Sequence, residues 1–217
     1  MNKVIEWLLS LLYPKRCPFC RRLMNENDSV CRLCINTLPL VPLSGQKQHF
    51  PFVDECFSVF YFEDTVRKSL HRYKFSGAAA YAGDYAEFIL KSIDENQISC
   101  DIITWVPLSR RRLRRRGYDQ AELLARCISK EMGWEIDRLL VKKKNNAAQS
   151  GTGNAEKRRA NVSGVYEVTS AEKVKDKHII LVDDIVTTGA TVSECARMLK
   201  KSGADRVTVL TVARKRP

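Results

Sequence analysis

No apolar run in the 217-residue sequence approaches the roughly 18 to 20 residues that a membrane-spanning helix needs, so no such span is predicted. Histidine is scarce. His49, His71 and His178 stand apart, with no Ser/His/Asp set and no HExxH pair, so hydrolytic catalysis gets little support. Internal repeats are missing too, which removes solenoid architectures. The stretch from Met1 to Tyr13 superficially suggests an export signal. It lacks a small-residue cleavage site, carries Glu6 among its apolar residues and runs into Pro14. Val4, Leu8, Leu11 and Leu12 instead fit one face of a short helix, docked on the body of the protein or on a partner or membrane surface.

The apolar share of 44% and charged share of 29% match globular averages and exclude wholesale disorder. The length suits one good-sized core with a small appendage. Thirty-seven basic residues against 25 acidic ones leave a formal charge of +12. Residues 101–160 hold 15 of the basic residues and only 7 acidic ones, a net +8. Arg110, Arg111, Arg112, Arg114, Arg115 and Arg116 run together with only Leu113 between them. Lys142, Lys143, Lys144, Lys157, Arg158 and Arg159 bracket a second stretch. A field this concentrated draws polyanions such as nucleic acid or phosphorylated metabolites; the plainer alternative is a solvated face.

The eight cysteines form two populations. Cys17-Pro-Phe-Cys20 and Cys31-Arg-Leu-Cys34 are CxxC pairs, each spaced so that two thiolates reach one ion. Two such knuckles complete a tetrahedral shell for a structural Zn²⁺ with no open position for catalysis. Iron–sulfur clusters use other spacings, and disulfides require an oxidising compartment. Cys56, Cys100, Cys127 and Cys195 have no partners at ligand spacing, and Cys127 and Cys195 fall on apolar helix faces.

Beyond Pro39 and Pro42 the pattern changes. Strands are expected at Phe57–Phe62, Ile102–Val106, Arg138–Val141, His178–Val182 and Arg206–Val212. Helices are expected at Glu63–Lys74, Ala78–Lys91, Gln120–Met132 and Ala190–Lys201, the third burying Leu123, Leu124, Cys127 and Ile128. Continuous apolar strands alternating with helices predict an α/β fold, a parallel sheet covered on both faces. Lys144–Gly164 is poor in order-forming residues, and reads as a basic loop closing over an anion or as a solvated excursion.

The strongest chemistry lies in Ile179-Ile180-Leu181-Val182-Asp183-Asp184-Ile185-Val186-Thr187-Thr188-Gly189-Ala190-Thr191. A buried strand delivers two adjacent carboxylates, then a hydroxyl-rich turn entering a helix. Ligands of open parallel sheets bind beyond the carboxyl ends of the strands. The turn's N–H groups and threonine hydroxyls suit a phosphate monoester, and the acids suit sugar hydroxyls, a divalent cation or a positive transition state.

This segment resembles the phosphoribosyl pyrophosphate (PRPP) signature of type I phosphoribosyltransferases at every position. Val106-Pro107-Leu108-Ser109, the arginine run, Gly117-Tyr118-Asp119-Gln120, Gln149, Arg158-Arg159-Ala160-Asn161, Gly164, Tyr166, Ala213-Arg214 and the four-cysteine knuckle resemble the ComF (ComFC-type) competence proteins. The resemblance covers essentially the whole chain. It implies a zinc-binding module over residues 1–45 and a phosphoribosyltransferase-like domain over 46–217. Asp183 and Asp184 then hold the ribose hydroxyls and support the ribose as positive charge develops. Thr187, Thr188, Gly189, Ala190 and Thr191 cradle the 5-phosphate. Leu108, Ser109 and Arg110 contact pyrophosphate shared with Mg²⁺, and residues 142–159 match the mobile loop over the site.

The resemblance also implies single-stranded DNA as a partner during natural transformation, alongside a competence helicase, in the cytoplasm and near the membrane through partners. The six arginines would attract the DNA backbone, with Tyr73, Phe75 and Tyr118 as stacking candidates. The alternatives are a phosphoribosyltransferase with an unidentified acceptor and a PRPP-responsive regulator. No nucleobase-reading motif is evident.

Overall fold

The computed structural model describes residues 14–25, 28–143 and 164–216. The helix expected around Val4–Leu12 and the loop expected from Lys144 up to Gly164, with Gln149 and Lys157–Asn161, lie outside the described residues. Among the described residues, no helix is long and apolar enough to cross a membrane.

A six-stranded sheet runs in the order β1 (Lys47–Phe50), β2 (Val53–Tyr61), β8 (Arg206–Arg214), β7 (His178–Val186), β3 (Ile102–Trp105) and β4 (Glu135–Ile136). From β2 to β4 every neighbour is parallel; β1 is an antiparallel edge. β3, β7 and β8 are buried along most of their length, as unbroken apolar runs in a parallel sheet must be. One face carries α3 (Asp64–Phe75), α4 (Tyr81–Glu95) and α6 (Gln120–Met132), whose Leu70, Tyr85, Leu124 and Ile128 meet Ile180, Val182 and Leu210. The other face is covered by α7 (Ala190–Lys201), through Val192, Cys195 and Leu199, and by a two-stranded antiparallel sheet of β5 (Leu140–Lys142) and β6 (Tyr166–Val168).

The helix and strand expectations hold in type; α6 and α7 keep the expected bounds and the others have shifted ends. The run expected as a strand at Arg138–Val141 starts at Leu140 and joins β6 instead of the main sheet. β7 continues four residues past Val182, so both acids are strand residues. On α6 the buried apolar positions are Ala121, Leu124, Ala125 and Ile128, while Leu123 and Cys127 are only half-buried. Small alanines let that helix lie close on β3 and β7, which turns its face away from the larger Leu123.

The N-terminal cysteine segment is stitched into the main core. Between its first two cysteines, the Phe19 ring lies 5.5 Å from Phe60, 5.9 Å from Tyr85 and 6.2 Å from Phe88, in edge-on geometry. Arg72 of α3 donates to the Pro18 and Phe19 carbonyls at 2.7 and 2.8 Å, and the Ser69 hydroxyl also donates to Pro18 O. Cys17, Cys34 and Leu38 are buried in the same cluster as α3 and α4. Short α1 (Arg32–Ile35) follows Cys31, and α2 (Leu43–Gln46) precedes β1.

Candidate functional site

At the carboxyl ends of β3 and β7 lies a cavity of about 170 Å³ lined by Asp119, Asp183 and Asp184 together with Lys74, Arg112, Arg116, Lys142, Gln120, Tyr166 and Thr191. Successive strand residues point to opposite faces. Asp184 reaches toward α3, where Lys74 Nζ sits 2.9 Å from its Oδ2. The Asp184 N–H donates to Asp183 Oδ1 at 2.8 Å. Burial, and then the charge of Asp184, push the Asp183 carboxyl well above the ordinary carboxylate range, with Lys74 acting in the other direction. Lys142 donates to the Tyr166 hydroxyl at 3.1 Å, and burial together with nearby Arg112 lowers its basicity.

Thr187, Thr188 and Gly189 form the turn between β7 and α7, and Ala190 and Thr191 open the helix. Gly189 takes φ +72°, the left-handed conformation that ends the strand and starts the helix at little cost only for glycine. The first-turn N–H groups of α7 have no intrahelical acceptor, which is the general basis of anion binding at such ends. Asp183 and residues 185–192 wrap a smaller hollow of about 30 Å³ at this turn.

The arginine run is the short helix α5 (Arg110–Arg116), capped by Ser109 and ended by Gly117 at φ +82°. Its arginines divide by face. Arg112 and Arg116, one turn apart, line the cavity, whereas Arg110, Arg111, Arg114 and Arg115 are exposed. Of the expected pyrophosphate loop, Leu108 lines the cavity; Ser109 is buried in its capping role and Arg110 points outward. The Leu108 N–H donates to Asp119 Oδ2 at 2.8 Å. Asp119 also accepts from Ala121 and Glu122, and burial raises its carboxyl to about 6.

Tyr73, expected as a stacking candidate, is fully buried with its hydroxyl donating to Gln120 O at 2.8 Å, so it is a core residue. Tyr118 is half-buried and donates to Tyr73 O. Phe75 alone of the three is open, 51% exposed, with the Arg116 guanidinium 4.8 Å from its ring centre. Sequence reading missed Lys74, and it placed Lys142 at the start of the loop over the site, whereas Lys142 ends β5 and lines the cavity. Lys74 closes the last turn of α3, 110 positions before Asp184, and only the fold brings them together. For Arg112 and Arg116, their spacing of four residues on a helix was the available signal.

The Sγ atoms of Cys17, Cys20, Cys31 and Cys34 all lie within 4.8 Å of one another, with Cys20 and Cys31 3.5 Å apart. Four convergent thiols without a disulfide fit the donor set of a structural Zn²⁺.

The sequence matches two family models, a phosphoribosyl transferase domain over residues 118–217 and a double zinc ribbon domain over residues 8–45. The DNA utilization protein YhgH of Salmonella typhimurium is 28% identical over 205 residues, 91% of this chain and 89% of that protein. The competence protein ComFC of Bacillus subtilis is 32% identical over 162 residues, 72% of this chain and 63% of that protein. Among solved structures, the glutamine PRPP amidotransferase of B. subtilis, complexed with ADP and GMP, superposes with a TM-score of 0.43 at 19% identity. That match covers 62% of this chain and 26% of the amidotransferase.

Proposed function

This chain is a ComF-type protein, a phosphoribosyltransferase fold carrying an N-terminal zinc-ribbon segment, and from that premise we propose that it serves DNA uptake by handling incoming single-stranded DNA beside a PRPP-binding site. The observation that carries the PRPP reading is a cavity lined by the acid pair, Thr191 and four cationic side chains, with the threonine-rich turn wrapping a second hollow that shares Asp183 and Thr191 with it.

In this reading Asp183 and Asp184 hold the ribose 2- and 3-hydroxyls, and Thr187, Thr188, Gly189, Ala190 and Thr191 cradle the 5-phosphate. Arg112 and Lys142 line the side on which pyrophosphate gathers, next to the Leu108–Arg110 loop. Bound Mg²⁺ would spread the pyrophosphate charge. Lys74 occupies the Asp184 carboxylate that the ribose needs, so binding exchanges an ion pair for hydroxyl hydrogen bonds. The exposed Arg110, Arg111, Arg114 and Arg115 supply the attraction for a DNA backbone just outside the cavity. We assign residues 1–45 to the zinc-binding module and 46–217 to the phosphoribosyltransferase-like domain. A cytoplasmic setting beside a competence helicase fits this role. The second reading, transfer of ribose 5-phosphate to an acceptor, is favoured by the two carboxylates that β7 brings to the cavity, which would support positive charge developing on the ribose.

Titration calorimetry of Mg²⁺-PRPP into the zinc-loaded protein tests the core of this proposal. Binding is expected in the native protein and lost in a variant carrying Asp183→Ala and Asp184→Ala. Silence in the native protein would leave the acid pair as scaffold only.

A further inference from the structure

Two buried donors in the cavity have no acceptor. Gln120, 2% exposed, opens α6 and lines the cavity with Asp184. Its Oε1 accepts from Arg116 Nη1 at 2.7 Å. A guanidinium can only donate, so this bond fixes which end of the amide is oxygen and leaves Nε2 as a donor. Among the described residues neither Gln120 Nε2 nor Arg116 Nε has a partner, although both atoms are shielded from solvent. Buried donors are nearly always satisfied, and an exception inside a cavity points to a missing acceptor. The buried Tyr73 hydroxyl donates to the main-chain carbonyl of Gln120 and fixes the start of α6 from which the amide projects.

The chemistry of that acceptor follows from its surroundings. Both groups donate, so the ligand must bring oxygen lone pairs. Asp184 and Asp119 line the cavity beside these donors and disfavour a dianionic phosphate at this spot, away from Arg112 and Lys142, whereas a neutral carbonyl meets no such repulsion. Amide and guanidinium are planar, and they match the flat edge of a ring. Lys74 and Arg116 also line an outer groove with Phe75 and Arg115. There the exposed Phe75 ring offers a stacking surface and Arg115 a phosphate contact.

We propose that Gln120 and Arg116 form a nucleobase subsite that reads a keto oxygen on the edge away from the sugar, as in thymine, while the ring rests on Phe75. The inference rests on the reading that single-stranded DNA passes this cavity. It adds a base preference to what is otherwise backbone attraction.

Fluorescence anisotropy with oligothymidylate and oligocytidylate of equal length isolates that edge, because the two bases differ there by keto against amino. The native protein is expected to prefer thymidylate by about fivefold, the scale of one neutral hydrogen bond. Gln120→Glu, which replaces the donor by an acceptor, should bring the ratio to one. Arg116→Lys, which keeps the charge and removes the planar Nε–H, should reduce it, and it guards against a folding defect in the first variant. Equal affinity in the native protein, or a preference that survives both substitutions, overturns the subsite while leaving DNA binding standing. Binding of neither polymer, with Mg²⁺-PRPP still bound, removes the DNA reading and this subsite with it.

Discussion

Replacing Lys74 by methionine keeps the aliphatic stem and deletes the charge that faces the acid pair. At the observed 2.9 Å, the gross attraction to Asp184 is about 6 kcal/mol at an effective dielectric constant of about 20. Most of that is offset by the water both groups gave up on folding. Removing one partner of a fully buried pair costs about 3–5 kcal/mol. Here the side chains are 21% and 11% exposed, so solvent takes up part of the loss and about 2 kcal/mol remains. The pH dependence identifies the cause. The Asp183 carboxyl is raised in the folded state by burial and by Asp184, and Lys74 is what restrains it. A raised group contributes stability that is complete below its unfolded value and lost as pH climbs through its folded value. The methionine variant raises that carboxyl further above its native value of about 8, so the extra deficit opens as pH passes that value, and urea denaturation should show a larger deficit at about pH 9 than at about pH 6. An equal deficit at both values, or none, would refute the assignment of Lys74 as counter-ion of the pair.

Two further outcomes follow from the geometry. Chelation of zinc, or Cys34→Ser, should lower Tm and remove hydrogen-exchange protection from α3 and α4 together, because Arg72 and Phe19 tie the knuckle to both helices; loss of protection confined to residues 14–45 would show an independent module. The two faces of α5 should also separate. Arg111→Ala with Arg114→Ala is expected to reduce the salt slope of single-stranded DNA binding by about 1.4 while Mg²⁺-PRPP affinity holds, and Arg112→Ala should weaken PRPP instead; identical profiles for the two variants would contradict the division by face.

Much of the architecture was legible from local pattern. The β-branched runs at β7 and β8 and the periodicity of α6 and α7 carry their own signal, and the bounds of both helices agree with the expectation. The acid pair and threonine turn were legible for the same reason, being contiguous. Residues that complete the site from a distance were not. Lys74 sits on a helix whose sequence reads as an ordinary amphipathic one, and Gln120 reads as a helix-starting residue until its amide is seen against Arg116. The arginine run misled in the opposite direction. Six consecutive-looking charges suggest one stripe, whereas a helix at 3.6 residues per turn sends two of them inward. Tyr73 failed as a platform because a half-apolar side chain at a helix position facing the sheet is buried regardless of its hydroxyl.

The place of β8 has a consequence for how the protein comes to exist. β8 lies between β2 and β7, and it joins the β1–β2 hairpin to the β7–β3–β4 half of the sheet. Its contact with the start of β2 spans 153 positions of sequence. Until those residues leave the ribosome, both halves expose open strand edges. The nascent chain is therefore a set of unjoined pieces for most of its synthesis, vulnerable to proteases and to pairing with other chains. The cavity, which needs Lys74 from one half and Asp184 from the other, forms only once that central strand has inserted.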